Sequence, residues 1–138
     1  MGHHPVGMDS AADGPPIGHG RTSLGEVGER LAGRYFEQRG ARVIDRNWRC
    51  VEGELDLVVR EPSGVVVAVE VKARRGLGFG EPVEAVTWRK QARLRRLVAA
   101  WLRDHPDVSA SGVRLDVVGV LIRPGHPVRL RHITGVGS

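Results

Sequence analysis

The chain has 138 residues, of which 41% are hydrophobic and 27% charged, and its formal net charge is +5. This length suits one domain and is too short for two, and no apolar run approaches the ~20 residues of a membrane-spanning helix. The N-terminus lacks the basic start and apolar stretch of a secretory signal, and the single cysteine, Cys50, excludes an internal disulfide framework. We therefore expect a cytoplasmic protein without membrane association.

The charge is unevenly distributed along the chain. Residues 1–20 contain two acidic residues and no lysine or arginine, which leaves 21 cations against 14 anions in the rest. A small basic domain favours nucleic acid, because its cations neutralise phosphates and release counterions, although solubility alone would also account for the excess. Only Lys72 and Lys90 among the 21 cations are lysines. Lysine offers a compact ammonium whose pKa responds to burial, so both positions invite a functional explanation.

The chain begins with a segment that has no structural pattern. Residues 1–20 are rich in Gly, Pro and His without periodicity, which predicts a disordered arm before a single domain over 21–138. Ser23 and Glu26 then have the spacing of a helix-capping box, and apolar residues recur with helical period as far as Phe36. Gly40 is placed to end this helix. Glu29 lies at the edge of the apolar stripe, where a carboxylate either reaches inward or is simply solvated.

Three strands, a second helix and two further strands follow. The strands are predicted over 42–50, 54–60 and 65–74, and turn residues separate the last two. A helical segment is predicted over about 83–104, with Thr87 as a candidate N-cap within it. The final strands are predicted over 113–122 and 128–133. The order α-β-β-β-α-β-β predicts an α/β protein.

The second and third strands carry the residues of chemical interest. Side chains alternate between the two faces of a strand. Asp56 is therefore expected on one face of the second strand, with Leu55 and Leu57 together on the other. In the third strand Glu70 and Lys72 share a face.

The register of this hairpin brings the polar residues together. The apolar faces of the two strands must pack on the same side, so the residue numbers of two paired residues must add up to an even number. A turn centred on Ser63 makes that total 126. This register predicts Asp56 opposite Glu70 and Glu54 opposite Lys72. Two carboxylates directly across a strand pair repel each other, whereas a divalent cation between them would turn the repulsion into coordination.

The arrangement predicts a metal-dependent nuclease site. Mg²⁺ prefers carboxylate oxygens and keeps its remaining positions for water and phosphate. Lys72 could orient the water that attacks a phosphodiester, while the metal stabilises the developing charge, and Glu29 could supply a further carboxylate. The alternative is a half-exposed hairpin with outward polar residues, in which Glu54 and Lys72 form a surface ion pair worth under ~1 kcal/mol.

Several short motifs occur in an order that resembles a known family. They are Gly28-Glu29, Gly53-Glu54-Leu55-Asp56-Leu57, Val69-Glu70-Val71-Lys72-Ala73-Arg74, Lys90 and Arg114-Leu115-Asp116. In this order, over residues 22–134, the chain resembles the bacterial family typified by YraN, which is similar to archaeal Holliday junction resolvases within the PD-(D/E)xK, or restriction-endonuclease-like, superfamily. The Pro that precedes the first Asp in that superfamily is Leu55 here.

The resemblance implies a fold, a site and a cofactor. It implies a central mixed sheet of about five strands flanked by helices, with Asp56 and Glu70 as metal ligands, Lys72 as the catalytic lysine and Glu29 as the helical acid. The expected cofactor is Mg²⁺, for which Mn²⁺ can substitute, and the expected partner is nucleic acid, chiefly DNA. Candidate nucleic-acid contacts are Lys90, Arg74 and Arg93.

Three functions follow as hypotheses. The first is a Mg²⁺-dependent endonuclease acting on DNA, with branched DNA as a candidate substrate; cutting a four-way junction would require a homodimer to present two sites. The second is a nucleic-acid-binding protein of the same fold with little or no cleavage. The third is an interaction module whose basic face meets an acidic protein. The sequence leaves DNA versus RNA and the oligomeric state open.

Overall fold

The computed structural model describes residues 23–76 and 87–136 and shows two helices and a five-stranded sheet. The predicted arm and the start of the predicted second helical segment, residues 83–86, lie outside the described residues. The elements are α1 Leu24–Gln38, β1 Arg42–Cys50, β2 Gly53–Arg60, β3 Val65–Arg75, α2 Trp88–Asp104, β4 Gly112–Ile122 and β5 Arg129–Ile133. The predicted order α-β-β-β-α-β-β is confirmed, and each strand boundary lies within one residue of its predicted position.

The sheet is mixed, as predicted. Its strands lie side by side in chain order, β1-β2-β3-β4-β5. All neighbours pair antiparallel except β3 and β4, which are parallel from Val65–Gly112 to Arg75–Ile122. A parallel pair needs a crossover connection, and α2 lies in the segment that joins these two strands.

The helix α1 begins and ends as its sequence predicts. The Ser23 hydroxyl accepts from the Glu26 backbone N–H at 3.1 Å and the Glu26 carboxylate accepts from the Ser23 N–H at 3.2 Å, which completes the capping box. Beyond the helix, Gly40 has a φ of +94°, a conformation that glycine adopts without strain. Gly28 brings this helix close to β3, since a Cβ there would lie 2.7 Å from the Ala73 Cβ.

The core forms two layers, one on each face of the sheet. On the α1 side, Leu31, Ala32 and Phe36 pack against valines and leucines of β2, β3 and β4. On the α2 side, Leu94, Leu97, Val98 and Trp101 pack against Leu55, Val58, Val66, Ala68 and Leu115. Apolar residues on both faces of β3 therefore fix its position in the middle of the molecule.

The helix α2 begins at the predicted cap. The Thr87 hydroxyl accepts from the Lys90 backbone N–H at 3.2 Å. The helix turns its apolar stripe to the sheet, and Trp101 is 1% exposed, as core packing requires. Its buried indole N–H donates to Asp45 Oδ2 at 2.7 Å, which satisfies the polar atom of the ring. No helix in the described part of the chain is long and apolar enough to span a membrane.

The β2–β3 hairpin has the predicted register but a shorter ladder. The pairs run from Arg60–Val66 to Leu57–Val69, all with the sum 126. Asp56 and Glu70 lie one position beyond the last pair, so the predicted Asp56–Glu70 and Glu54–Lys72 pairings are wrong. The Glu54 carboxylate instead approaches Arg49 of β1, 3.7 Å from its Nη2.

The prediction that Leu55 and Leu57 lie on the same face of β2 is also wrong. Leu57 packs in the layer on the α1 side, whereas Leu55 packs in the layer on the α2 side. Across the strand pair, Arg46 is paired with Leu57 and Trp48 with Leu55. Asn47, between these two β1 residues, has a φ of +51°, in the left-handed region. The departure from regular strand geometry at Asn47 and Asp56 explains why simple alternation fails there.

Candidate active site

Asp56 lies where β2 leaves β3. Its carboxylate oxygen Oδ2 accepts a hydrogen bond from the Val71 backbone N–H at 2.8 Å. This N–H belongs to the part of β3 beyond the last β2–β3 pair, so the side chain supplies the acceptor that a strand backbone would otherwise provide. The bond holds the Asp56 carboxyl group beside β3 at Val71, the residue that follows Glu70.

Glu70 is held by two lysines. It is 8% exposed, and its Oε2 lies 3.3 Å from Lys72 Nζ and 2.7 Å from Lys90 Nζ. Lys72 shares the α2-facing side of β3 with Glu70, as predicted, and Lys90 reaches the same oxygen from the first turn of α2. The structure thus joins both lysines of the chain to one buried carboxylate.

Glu29 approaches Asp56 from α1. The side chains of Asn47 and Asp56 hydrogen-bond to the Glu29 carboxylate. Burial raises the pKa of Glu29, the Asn47 hydrogen bond opposes this effect, and the negative charge of Glu54 adds to it. Of the two alternatives left open for Glu29, the structure shows the inward one, with the side chain beside Asp56.

The electrostatic environment of Asp56 favours its protonated form. Burial is the largest cause and raises the pKa of Asp56 to about 7, against the opposing hydrogen bond from the Val71 N–H. The charges of Glu70, Glu29 and Glu54 raise this pKa further. An acid with a pKa of about 7 is about half protonated at neutral pH. A bound cation would favour the ionised form instead.

The residues predicted to contact nucleic acid lie around these acids. Lys90 is half-buried and paired with Glu70, whereas Arg93, one turn later, is exposed. The Arg93 stem passes beside the start of β2, since its Cδ lies 3.9 Å from where a Cβ of Gly53 would be. Arg74 is exposed on β3, two residues beyond Lys72. Two exposed arginines therefore lie on β3 and α2, the elements that carry Glu70 and Lys90.

The carboxylates fit a magnesium ion better than a structural zinc. Asp56 and Glu70 offer hard oxygen ligands, and Mg²⁺ needs only one or two protein carboxylates because it keeps several waters. Over residues 23–76 and 87–136, no group of three or more His, Cys, Asp or Glu side chains is arranged to hold a metal ion. A structural zinc site, which takes four protein ligands, therefore has no counterpart in this part of the chain.

A second polar cluster lies apart from these acids. Asp116 is 1% exposed and accepts from Arg114 at 2.8 Å and from the Gly135 N–H at 3.0 Å, and its Oδ2 lies 2.7 Å from His132 Nε2. Arg114 also donates to Glu61 at 2.7 Å. Burial disfavours the charged form of Asp116, but these hydrogen bonds outweigh it and lower its pKa. Arg114 and Asp116 therefore pair with each other and join β4 to its neighbours.

An apolar cavity lies at a different place again. It has a volume of about 450 Å³ and is lined by Val98, Leu102, Val113 and neighbouring residues of α2 and β4. None of the predicted catalytic residues contributes to it. The candidate site is instead an arrangement of charged groups at the end of the β2–β3 ladder.

Sequence reasoning missed the part that Asn47 plays. Its side chain binds Glu29, and its left-handed backbone lies in β1 opposite the Asp56 region. Its residue type could have indicated the left-handed backbone, because Asn adopts this conformation more readily than most non-glycine residues. The sequence marked Lys90 only as a candidate nucleic-acid contact, and its ion pair with Glu70, at 2.7 Å, was not predicted.

Comparison with known proteins finds a family model that matches the part of the chain containing these residues. The profile described as "Uncharacterised protein family UPF0102" matches residues 28–120, a stretch that contains all the predicted site residues. A UPF0102 protein of Beutenbergia cavernae is 52% identical over 117 residues, which cover 85% of this chain and 98% of the relative. One of Frankia alni is 50% identical over 115 residues, covering 83% and 94%. This agrees with the family resemblance drawn from the sequence.

A solved structure gives a much weaker match. It is "The structure of Pyrococcus Furiosus SfsA in complex with Ca2+", with 14% identity and a TM-score of 0.34. The match covers 83% of this chain, which spans only 64% of that longer chain. A likeness of this strength carries no argument about the site.

Proposed function

The chain belongs to the uncharacterised protein family UPF0102, and we propose that it is a Mg²⁺-dependent endonuclease that hydrolyses phosphodiester bonds in DNA. The observation that carries this proposal is the convergence of acids and lysines at the end of the β2–β3 ladder. Glu70 contacts Lys72 and Lys90 there, and the pKa of Asp56 is raised by its burial and by neighbouring carboxylates. Perturbed ionisable groups gathered at one place are typical of active sites.

Without a bound cation, the buried acids lower the stability of the fold. Burial already disfavours ionised Asp56, and Glu70, Glu29 and Glu54 add like charge around it. A structural role would be served better by a neutral residue at this position. A divalent cation resolves the conflict, because it gives the carboxylates a common partner of opposite charge.

Each residue has a defined part in the proposed reaction. Asp56 and Glu70 would hold Mg²⁺, which when bound supplies positive charge to stabilise the phosphate in the transition state. Lys72 donates a hydrogen bond to the attacking water and orients it toward phosphorus. Glu29 would accept a proton from that water. The water oxygen forms the new bond to phosphorus as the bond to the leaving oxygen breaks, and the alkoxide that departs takes a proton from solvent water.

The surrounding arginines fit a polyanionic substrate. Arg74 and Arg93 are exposed on elements that also carry site residues, β3 and α2. Contacts to phosphate from such residues position the nucleic acid without reading its sequence. This pattern favours recognition of DNA by its backbone and shape. We also propose that the protein acts in the cytoplasm.

The decisive experiment measures cleavage by the purified protein and its variants. Linear, flapped and four-way DNA are incubated with Mg²⁺ or Mn²⁺ and wild type, Asp56→Ala or Lys72→Ala. Asp104→Ala, which removes an exposed carboxylate at the other end of α2, is the matched control. We expect cleavage by wild type and Asp104→Ala and a loss of at least about 100-fold in both site variants. Equal cleavage by wild type and Asp56→Ala would show a contaminating nuclease.

One observation favours a second function. Glu70 Oε2 is contacted by two ammonium groups, and the described residues hold no ready-made group of three metal-binding side chains. A nucleic-acid-binding protein of the same fold, with little or no cleavage, would retain this ion-paired centre as structure. Salt-sensitive binding of DNA without cleavage in either Mg²⁺ or Mn²⁺ would support that function.

Junction resolution would place a further demand on the protein. A four-way junction is cut by two symmetrically placed sites, which a C2 homodimer presents. Light scattering with and without four-way DNA measures whether such a dimer forms. A strictly monomeric protein that cuts flaps would instead fit an enzyme that acts on one strand at a time.

A further inference from the structure

Lys90 occupies a position that the fold would normally give to an apolar residue. It is the first residue of the α2 stripe that turns toward the sheet, and the later members Leu94, Leu97 and Trp101 are buried. Only 22% of the Lys90 side chain is exposed. The Thr87 cap fixes the start of the helix, since its hydroxyl accepts from the Lys90 backbone N–H, so local structure sets the position of the Lys90 backbone.

Two physical effects act against a lysine at this position. Partial burial disfavours its charged form. The first turn of a helix also favours anions, because the unpaired backbone N–H groups give it a partial positive charge, yet the first turn of α2 has no acidic residue. The contact with Glu70, at 2.7 Å, compensates for both.

Glu70 carries one negative charge and is contacted by two ammonium groups, one more than is needed to neutralise it. Lys72, on the same strand, already lies 3.3 Å from Glu70 Oε2, and Lys90 adds a second ammonium at the same oxygen. This oxygen belongs to a residue that would bind the cation in the proposed function. Lys90 and the cation therefore compete for one carboxylate.

We propose that Lys90 is an exchangeable internal cation, which pairs with Glu70 when the metal is absent and turns to the substrate phosphate when the metal binds. The inference rests on the proposed function. Lys72 stays with Glu70 in both states, because it shares a strand face with that residue, whereas Lys90 belongs to another element and has a flexible four-carbon stem. The released ammonium remains at the start of α2, where the helix itself attracts anions.

The first test measures Mn²⁺ affinity by isothermal titration calorimetry at pH 8 and without DNA. The proteins are wild type, Lys90→Met, Lys90→Gln, Asp56→Asn and Arg103→Met. Arg103→Met is the matched control, since it removes one positive charge from an exposed position of the same helix about 20 Å farther along. Removal of the competing ammonium is expected to tighten binding about fivefold or more in both Lys90 variants. Arg103→Met should stay within about twofold of wild type.

The outcomes separate this inference from the function on which it rests. Mn²⁺ binding that is lost in Asp56→Asn but unchanged or weaker in both Lys90 variants would overturn the role of Lys90 and leave the metal site standing. Mn²⁺ binding that does not depend on Asp56 would overturn both. Thermal unfolding of each variant identifies any that fails to fold, and the two Lys90 substitutions differ in polarity so that one such failure does not decide the result.

The second test asks where the released ammonium goes. DNA binding is measured by fluorescence anisotropy in a Lys72→Met background, in which cleavage is not expected. Adding Lys90→Met should weaken binding about threefold or more with Mn²⁺ present and less than about twofold in EDTA. An equal loss under both conditions would contradict the exchange, because Lys90 would then contact DNA whether or not Glu70 holds a cation.

Discussion

At the scale of single residues, Asp56 combines a structural contact with an unfavourable charge. It accepts from the Val71 N–H at 2.8 Å, yet burial and nearby carboxylates raise its pKa to about 7. Because the folded-state pKa exceeds the ordinary value of 3.8, the folded protein binds the proton more tightly than the unfolded chain does. Stability from this group is therefore present below pH ~4 and is lost as the pH rises through about 7.

Asp56→Asn should remove this pH dependence. Asn keeps an oxygen acceptor for the Val71 N–H but cannot ionise. We expect the free energy of unfolding of the variant, relative to wild type, to increase between pH 4 and pH 8 by about 2 to 4 kcal/mol in EDTA. Urea unfolding at several pH values measures this difference. Addition of Mg²⁺ at pH 8 should reduce it, since the cation stabilises wild type; a difference independent of pH would contradict the assigned pKa.

Lys72 tests whether the site needs an ammonium or any positive charge. A guanidinium is larger and planar and cannot occupy the position of an ammonium without displacing its neighbours. We expect Lys72→Arg to lower kcat at least about 100-fold in the assay that detects wild-type cleavage. Full activity of Lys72→Arg would rule out the proposed role in orienting water. Arg75→Lys, a change at an exposed residue of the same strand, should leave kcat within about twofold.

At the scale of elements, the contact of α1 with β3 determines where Glu29 lies. Gly28 permits this contact, because an added Cβ would lie 2.7 Å from the Ala73 Cβ. Gly28→Ala must therefore move the helix or the strand, and we expect a loss of about 1–3 kcal/mol in stability. Cleavage should also fall, since Glu29 moves with the helix. Chemical denaturation and the cleavage assay measure the two effects.

Gly25 provides a control within the same helix. A Cβ there would have its nearest neighbour, Ser23 Oγ, at 4.0 Å. Gly25→Ala should therefore stabilise the protein by up to about 1 kcal/mol, because alanine has the higher helix propensity. Similar losses in both variants would show that helix propensity or the unfolded state, and not the helix–strand contact, explains the effect of Gly28.

The strands show how far sequence reasoning reaches. The turn about Ser63 predicted the register of the hairpin, and four pairs with the sum 126 confirm it. The change of facing between Leu55 and Leu57 was not predictable from alternation, which assumes a regular strand. It depends on the left-handed backbone of Asn47 in the neighbouring strand and on the end of the ladder at Leu57–Val69, and both are products of tertiary structure.

The site was predicted in part for the same reason. Glu70 and Lys72 are two residues apart on one strand, so local geometry alone places them together. Lys90 lies on a helix across from them, and its contact with Glu70 depends on how α2 docks on the sheet. The sequence marked this lysine through composition and its place in an apolar stripe, but neither feature specifies the residue that it contacts.

At the scale of the whole molecule, the net charge of +5 should make DNA binding sensitive to salt. If Arg74, Lys90 and Arg93 each neutralise one phosphate, the logarithm of the binding constant should fall with the logarithm of the salt concentration with a slope of about −3. Arg93→Ala should reduce the magnitude of this slope by about one. Fluorescence anisotropy from 50 to 200 mM salt, with Arg103→Ala as the control, measures it; identical slopes in all three proteins would exclude Arg93 as a contact.

The sheet has a consequence for the way the protein is made. Each strand lies beside the one that precedes it in the chain, so a polypeptide leaving the ribosome can add strands at one edge without rearranging those already formed. The β1–β3 meander needs only neighbouring segments, whereas the parallel β3–β4 pair must wait for the crossover segment to emerge. Glu29, Asp56 and Glu70 are all translated before Lys90. The first helix and the β1–β3 meander can therefore form, with these three acids in them, before the ribosome has added Lys90.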